Sequence, residues 1–167
     1  MTPEAGTSLV FRSEVREKDI AVIEEIVAST GFFTHAEITL AVELVEERLQ
    51  KGAASGYFFL FAEDQTGRVL GYACYGPAPA TQSTFELHWI AVHRDAQRYG
   101  LGQELLVRTE AAIAAAGGVD VYVDTSSRAL YRPTQTFYAR SGYRLVAEFP
   151  DYYAPGDGRL VYVKRLR

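Results

Sequence analysis

Apolar residues recur along the chain with two periods, and the changes between these periods mark out helices and strands. Ile20, Ile23 and Val27 repeat at helical spacing and predict a helix over 19–29. Thr34 and Glu37 form the Thr-x-x-Glu pattern that begins a helix, and apolar residues at helical spacing follow it. Short apolar runs bounded by turn residues predict strands over 9–13, 57–62, 69–75, 85–92, 119–124, 143–149 and 160–164. Two further helices are predicted, one from a glycine-containing loop to residue 116 and one over 133–141.

The predicted elements follow one another in the order β-α-α-β-β-β-α-β-α-β-β. The second and third strands are joined across a short turn over 64–67 and therefore predict a hairpin. A turn-rich segment over 150–158 predicts a loop before the last strand. The 167 residues show no internal repeat, low-complexity tract or linker, so we expect a single domain over 1–167.

The stretch from Phe85 to Arg108 combines a strand, a glycine-containing loop and the start of a helix. Gly100 and Gly102 allow backbone conformations that other residues avoid, and they let a ligand approach the main chain closely. The first N–H groups of the following helix have no acceptor within the helix, and the helix dipole makes this end positive. Together these features predict a binding site for an anion such as a pyrophosphate.

Two common phosphate-binding motifs do not fit this loop. A Walker loop needs Gly-Lys-Ser/Thr at its end, but Gln103 follows Gly102. A dinucleotide-binding fingerprint needs a third glycine where Leu105 stands. The sequence therefore disfavours a nucleotide-binding module.

The same stretch resembles the acyl-coenzyme A motif of the GNAT superfamily of N-acetyltransferases, Gln/Arg-x-x-Gly-x-Gly/Ala after a strand that ends in Ala-Val. Here Ala91-Val92 is followed by Gln97, Gly100 and Gly102 at the spacing of the family. A second segment, Phe137-Tyr138-Ala139-Arg140-Ser141-Gly142-Tyr143, is similar to the family's F-Y-x-x-x-G-F/Y pattern. The resemblance covers nearly the whole chain. It implies the GNAT fold, an α/β mixed sheet with splayed central strands and helices on both faces, and an acetyltransferase that uses acetyl-coenzyme A.

The resemblance also implies which residues bind acetyl-coenzyme A. The main chain at the end of the strand is expected to bind the pantetheine amides, and the loop is expected to bind the pyrophosphate. Tyr131 stands where many family members carry an asparagine that holds the pantetheine arm, and a phenol can also donate a hydrogen bond. The predicted cofactor-binding residues are Ile90, Ala91, Val92, Gln97, Arg98, Tyr99, Gly100, Leu101, Gly102, Gln103 and Tyr131. Arginines near these segments that could meet the phosphates are Arg94, Arg98, Arg128 and Arg132.

Acetyl transfer to an amine requires a base, because an amine with a pKa of about 10.4 is mostly protonated at neutral pH. Strand alternation places Glu86 and His88 on one face of the predicted strand. The resemblance implies a base here, since histone-type members carry a glutamate at the position of Glu86 and arylalkylamine-type members carry a histidine pair at both positions. We predict Glu86, His88 or a water relay between them as the base. Each also has a structural alternative, because Glu86 could pair with an arginine and His88 could be a hydrogen-bonded core residue.

Tyr138 is the predicted acid. The resemblance implies that its phenol lies beside the sulfur and protonates the departing thiolate. A phenol pKa of about 10 against a thiol pKa of about 8.5 makes complete proton transfer unfavourable by roughly 2 kcal/mol. We therefore expect Tyr138 to act mainly as a hydrogen-bond donor, unless the site lowers its pKa.

Composition narrows the classes of partner. A net charge of −4 without a basic tract argues against nucleic acid as a partner. The sequence lacks an apolar run of about 18 residues and a signal-peptide pattern, so we expect a cytoplasmic protein without membrane association. His35, His88 and His93 have no metal-ligand spacing, and we expect no metal. The single cysteine, Cys74, excludes an internal disulfide and is expected to pack in the core.

The acceptor is expected to be a small amine or an amino acid, because the late loop is short and aromatic. Phe32-Phe33 and Tyr152-Tyr153 could form walls of an acceptor pocket, and Asp151 and Asp157 could attract a cationic amine. The alternatives are a peptide or protein N-acetyltransferase and a non-catalytic sensor that binds acyl-coenzyme A. The joint presence of Glu86, His88 and Tyr138 favours an enzyme over a sensor. Edge strands near the C-terminus would permit a homodimer.

Overall fold

A computed structural model describes residues 8–31, 33–97 and 99–167 of the chain. The strands are β1 (Val10–Arg12), β2 (Phe58–Glu63), β3 (Val69–Pro77), β4 (Thr84–Val92), β5 (Asp120–Ser126), β6 (Arg144–Ala154) and β7 (Asp157–Arg165). The helices are α1 (Asp19–Ser29), α2 (His35–Lys51), α3 (Leu101–Ala115) and α4 (Arg132–Arg140). Their order along the chain confirms the order predicted from the sequence. Short 3₁₀ turns over Gly52–Ser55, Arg94–Ala96 and Ala129–Tyr131 were not predicted.

The strands follow the order β1-β2-β3-β4-β5-β7-β6 in a mixed sheet. β1 pairs with β2 and β2 with β3 in antiparallel fashion. β4 and β5 are parallel, and β7 is antiparallel to both β5 and β6. This mixed sheet, flanked by helices, confirms the predicted fold class.

The chain divides into two compact units. The first comprises the described residues of Met1–Gly76 together with Trp89–Thr109. Its core forms where α1 and α2 pack on β2 and β3, with Ile23, Val45 and Phe61 fully buried. The capping box at Thr34 and Glu37 begins α2 as predicted.

A buried ion-pair cluster fixes β1 in this first unit. The Arg12 guanidinium donates to Asp19 on α1 at 2.8 and 2.9 Å and to Glu63 on β2 at 2.6 Å. Because both carboxylates accept from one guanidinium, the cost of burying these charges is offset by bidentate and charge-assisted hydrogen bonds.

The second unit comprises Pro77–His88 and Glu110–Arg167. Apolar residues of β5 and β7, including Val121, Val123 and Leu160, are buried there. A polar cluster lies beside them, in which Glu110 accepts hydrogen bonds from the Tyr143 hydroxyl at 2.9 Å and the Lys164 ammonium at 3.0 Å.

The late segment differs from its prediction. Residues 150–158 were predicted as a loop, and this was wrong: β6 continues to Ala154, and a tight turn leads into β7 at Asp157. Pro150 is compatible with a strand here because β6 is the edge of the sheet, where a missing N–H breaks no ladder. The pairing with β7 is irregular between Phe149 and Ala154, and Asp151 has a positive φ of 57°. The turn-forming residues that predicted a loop also occur in irregular edge strands, so they did not distinguish the two.

Candidate functional site

The loop between β4 and α3 is tied to the sheet by two hydrogen bonds near the end of β4. The His93 amide donates to the Leu70 carbonyl at 2.7 Å where β4 ends. The Gln97 side chain donates to the Val92 carbonyl at 3.1 Å and so ties the loop back to the strand that precedes it. Gln97 of the predicted motif therefore has a structural contact that shapes the loop. Arg98 lies outside the described residues.

Gly100 turns the chain into α3. Its φ of +75° lies in the left-handed region that favours glycine, and no atom of the described residues lies within 4 Å of the place a Cβ would occupy. Its carbonyl accepts from the Glu104 amide at 3.1 Å, so α3 begins at Leu101. Leu101, Gly102 and Gln103 thus form the first helical turn.

This turn fits a pyrophosphate. The amides of the first three helical residues point out of the helix end without an acceptor in the helix, at the positive end of its dipole. The open space at Gly100 lets an anion approach the main chain closely. Tyr99, beside the turn, is about half exposed, at 54%. Five residues of the predicted pyrophosphate-binding loop therefore lie at the N-terminus of α3, namely Tyr99, Gly100, Leu101, Gly102 and Gln103.

The main chain of β4 beyond its pairing with β5 is the predicted contact for pantetheine. In the described chain, the β4–β5 ladder joins Thr84–Leu87 to Asp120–Val123 and ends there. Ile90, Ala91 and Val92 lie beyond the end of this ladder, as expected if the two central strands splay apart. The Val92 carbonyl is already engaged by Gln97.

The arginines predicted near the phosphates have different surroundings. Arg128 lies over the Tyr131 ring, 5.4 Å from its centroid, and its Nε lies 3.5 Å from Asp157. Tyr131 itself is buried at the end of a 3₁₀ turn. Arg94 and Arg132 have exposed side chains.

Tyr138 is a buried residue of α4, with 4% of its surface exposed. Its ring packs edge-on against Tyr143 with centroids 5.5 Å apart, and lies 6.3 Å from Tyr162. Burial raises the pKa of the Tyr138 phenol above its usual value. The condition for full proton transfer, a lowered pKa, is therefore not met, and the Tyr138 phenol is in its neutral form at neutral pH.

Glu86 and His88 lie together in a cavity of about 440 Å³ in the second unit. Alternation along β4 puts both in partly exposed positions, while Phe85 and Leu87 are buried on the opposite face. The cavity is lined by Thr81, Thr84, Glu86, Leu87, His88, Tyr122, Asp124, Arg159 and Val161. The structure thus brings the two predicted base candidates into one cavity.

The environment of His88 favours the neutral imidazole. Burial lowers the pKa of His88, and the carboxylates of Glu86 and Asp124 partly oppose this by raising it. A neutral imidazole at neutral pH is able to accept a proton.

Asp124 and Arg159 belong to this cavity but were not predicted from the sequence. Arg159 donates from Nε to Asp124 at 2.7 Å. Alternation along β5 could have placed Asp124 on the face of Tyr122, but the partner of Asp124 depends on the register between β5 and β7. That register is not visible in a local pattern.

The remaining predicted residues have mainly structural contacts. Asp151 accepts from the Gly156 amide at 2.7 Å, and Asp157 accepts from the Ser126 hydroxyl. Phe33 packs edge-on against Trp89 at 4.9 Å, whereas Phe32 lies outside the described residues. Cys74 is fully buried in the core of the first unit, as predicted.

No group of three or more potential metal ligands occurs among the residues that the structure describes. Within the same residues, no helix is both long enough and apolar enough to cross a bilayer.

Comparison with known proteins places the chain among the acyltransferases that use acetyl-coenzyme A. The sequence profile of the GNAT acetyltransferase domain matches residues 55–145. A crystal structure of a protein from Desulfovibrio desulfuricans, assigned to the GNAT family of acetyltransferases, is 42% identical with a TM-score of 0.91, covering 95% of this chain and 99% of that one. The chain therefore belongs to the GNAT family, and it is an acetyl-coenzyme A-dependent acetyltransferase.

More distant structures share the fold. An aminoglycoside 6'-N-acetyltransferase in complex with coenzyme A is 17% identical, with a TM-score of 0.72 and coverage of 93% of this chain and 96% of that one. The yncA protein of Salmonella typhimurium, solved with acetyl-coenzyme A, is 21% identical, with a TM-score of 0.72 and coverage of 96% and 95%. No curated protein sequence matches the chain.

The surroundings of His88 predict a low imidazole pKa that depends on Glu86. In an NMR titration, the His88 ring protons should titrate below the usual value of about 6.5. Glu86→Gln should lower this pKa further, because the lost carboxylate raises it. A His88 pKa above the usual value, or one that rises in Glu86→Gln, would contradict the described electrostatics.

Proposed function

We propose that the protein transfers the acetyl group of acetyl-coenzyme A to the primary amine of a small molecule by direct attack. The observation that carries the proposal is the placement of two groups along β4. This strand carries Glu86 and His88 in a cavity, and it ends at Val92, four residues after His88. The turn that is proposed to bind an anion follows this end of the strand. Acetyl-coenzyme A supplies the activated thioester. The residues of this chain supply the base, the hydrogen-bond donor and the anion-binding main chain.

The base is proposed to act on the ammonium form of the acceptor. Either Glu86 or His88 removes a proton, directly or through a water molecule, before the nitrogen forms its bond to the acetyl carbon. Neutral His88 is ready for this step at neutral pH, and Glu86 next to it stabilises the imidazolium that results. As the carbon–sulfur bond breaks, the Tyr138 hydroxyl donates a hydrogen bond to the sulfur and coenzyme A leaves as the thiolate. The nitrogen loses its second proton to water, which gives the neutral amide.

The first experiment is a thiol-release assay with acetyl-coenzyme A and a panel of small amines. An N-acetyltransferase releases coenzyme A in proportion to acceptor, and the acetylated amine appears in equal amount. Binding of acetyl-coenzyme A without turnover on any amine would identify a sensor. Turnover only on peptides would identify the peptide alternative.

Gly100 should be needed for binding of coenzyme A. In Gly100→Ala, the side chain disfavours the left-handed conformation by about 1 kcal/mol, so the turn is expected to shift and coenzyme A affinity to fall by about fivefold or more. Gly117→Ala is a matched control, because Gly117 has a φ of +89° and its Cβ position also has no neighbour within 4 Å in the part of the chain that the structure describes. Both variants should lose similar stability, but only Gly100→Ala should bind coenzyme A more weakly by calorimetry. Equal affinities would remove Gly100 from the proposed site.

Tyr138→Phe should lower kcat by about tenfold or more while the Kd for coenzyme A changes little, because the phenol acts on charge that develops during the reaction. Tyr143→Phe is the matched control, since it removes a buried phenol of the same aromatic cluster that donates to Glu110. That control should lower stability by about 1 kcal/mol and keep kcat. The assignment of Tyr138 fails if its variant keeps wild-type kcat or if coenzyme A binding is lost instead.

The pH profile of kcat/KM distinguishes the two base candidates. Loss of the true base should reduce turnover by about 100-fold or more. If His88 is the base, His88→Ala loses activity, and Glu86→Gln retains it with an acid limb moved to lower pH, since the imidazole pKa falls. If Glu86 is the base, Glu86→Gln loses activity at every pH. Full activity of both variants between about pH 6 and pH 9 would exclude both residues.

A further inference from the structure

The face of the second unit that carries Glu86 continues from the cavity towards the edge of the sheet. Glu86 is paired with Tyr122 on β5, and Asp124 is paired with Val161 on β7. Arg159, two residues before Val161, is paired with Phe149 on β6. Because alternate residues of a strand share a face and paired residues lie side by side, these side chains form one continuous surface.

Three aromatic rings stand exposed at the outer end of this surface. Phe149, Tyr152 and Tyr153 are 46%, 57% and 50% exposed. The Arg159 guanidinium lies 5.1 Å from the Tyr152 centroid and 5.5 Å from the Phe149 centroid. Tyr153 packs edge-on against Tyr152 at 5.0 Å. We call Phe149, Tyr152, Tyr153 and Arg159 the aromatic platform.

The aromatic platform is joined to the cavity by Arg159. This side chain lines the cavity and bonds to Asp124 through Nε, while its planar group lies over the rings. The charges of Arg159 and Asp124 nearly cancel because the two side chains are hydrogen-bonded. The planar guanidinium therefore offers a flat, weakly hydrated surface on which a planar group can pack. Clustered exposed aromatic rings beside a cavity are typical of a binding surface.

From these contacts we propose that the acceptor is a primary amine with an aromatic ring several bonds away from the reacting nitrogen. The ammonium group lies at Glu86 and His88, and the ring packs on the aromatic platform. Arg159 on β7, the member of the aromatic platform nearest to β4, lies two strand spacings from it, about 10 Å, and the rings on β6 lie one spacing further. An amine of extended shape is therefore required to reach the platform from Glu86 and His88. This inference rests on the proposed amine acetylation and specifies its acceptor class.

The test compares amines that differ in one feature at a time. Benzylamine, 4-phenylbutylamine, 4-cyclohexylbutylamine and n-butylamine vary the length of the chain and the presence of a ring face. For the wild-type protein, kcat/KM should be at least about tenfold higher for 4-phenylbutylamine than for n-butylamine, and higher than for benzylamine, which is too short. The cyclohexyl compound should be weaker than its phenyl counterpart, since it cannot stack on the guanidinium or tyrosine.

Tyr152→Leu tests the aromatic platform directly, because it keeps an apolar side chain and removes the ring. The preference for 4-phenylbutylamine over n-butylamine should fall by about fivefold. Leu145→Ala is the matched control on the same strand, since Leu145 is also 50% exposed but is paired with Tyr162 and belongs to the opposite face. This control should keep the wild-type preference.

Each outcome decides the inference separately from the proposed function. Turnover of all four amines with equal kcat/KM overturns the acceptor class and leaves the acetyltransferase reaction intact. If no amine is acetylated, the proposed function fails, and saturation-transfer NMR with 4-phenylbutylamine then tests the acceptor class. Binding of this amine that is weakened in Tyr152→Leu supports the acceptor class. Absence of binding overturns the acceptor class. A wild-type dimer that Tyr152→Leu converts to monomer, measured by light scattering, also overturns it, because a second copy would then cover the rings.

Discussion

The alternation of side chains along β4 is the constraint on which the proposed chemistry depends. A strand between two neighbours must send successive side chains to opposite faces, so burying Phe85 and Leu87 forces Glu86 and His88 to the other face. The same strand then delivers the chain to the turn at Gly100 and to the first amides of α3. This element of nine residues therefore carries both titratable groups and leads along the chain into the turn that is proposed to bind an anion.

Burial, rather than ion pairing, sets the protonation state of the two groups that are proposed to move or share protons. It lowers the pKa of the His88 imidazole and raises that of the Tyr138 phenol, so that each is uncharged at neutral pH. An uncharged base and an uncharged donor are the forms that an amine and a departing thiolate require. The two effects have opposite signs because His88 is charged when protonated, whereas the phenol is charged when deprotonated.

Features with a local cause could be predicted from the sequence. The capping box at Thr34, the shared face of Glu86 and His88 and the need for glycine at position 100 each depend on a few neighbouring residues, and the structure contains all three. Features that depend on register could not be predicted. The pairing of Asp124 with Arg159 requires that β5 and β7 align at a particular offset, and the extension of β6 past Pro150 requires that β6 lie at the edge of the sheet. Sequence periodicity contains no information on either alignment.

The irregular outer strand has a consequence for self-association. β6 is an edge strand of 11 residues, and a regular edge of that length would offer a row of main-chain groups to any other strand in the cell. Pro150 removes one donor from that row, and the left-handed Asp151 interrupts the flat pleat. The hairpin of β6 and β7 can therefore expose aromatic side chains to water without offering a regular strand edge on which fibrils could grow.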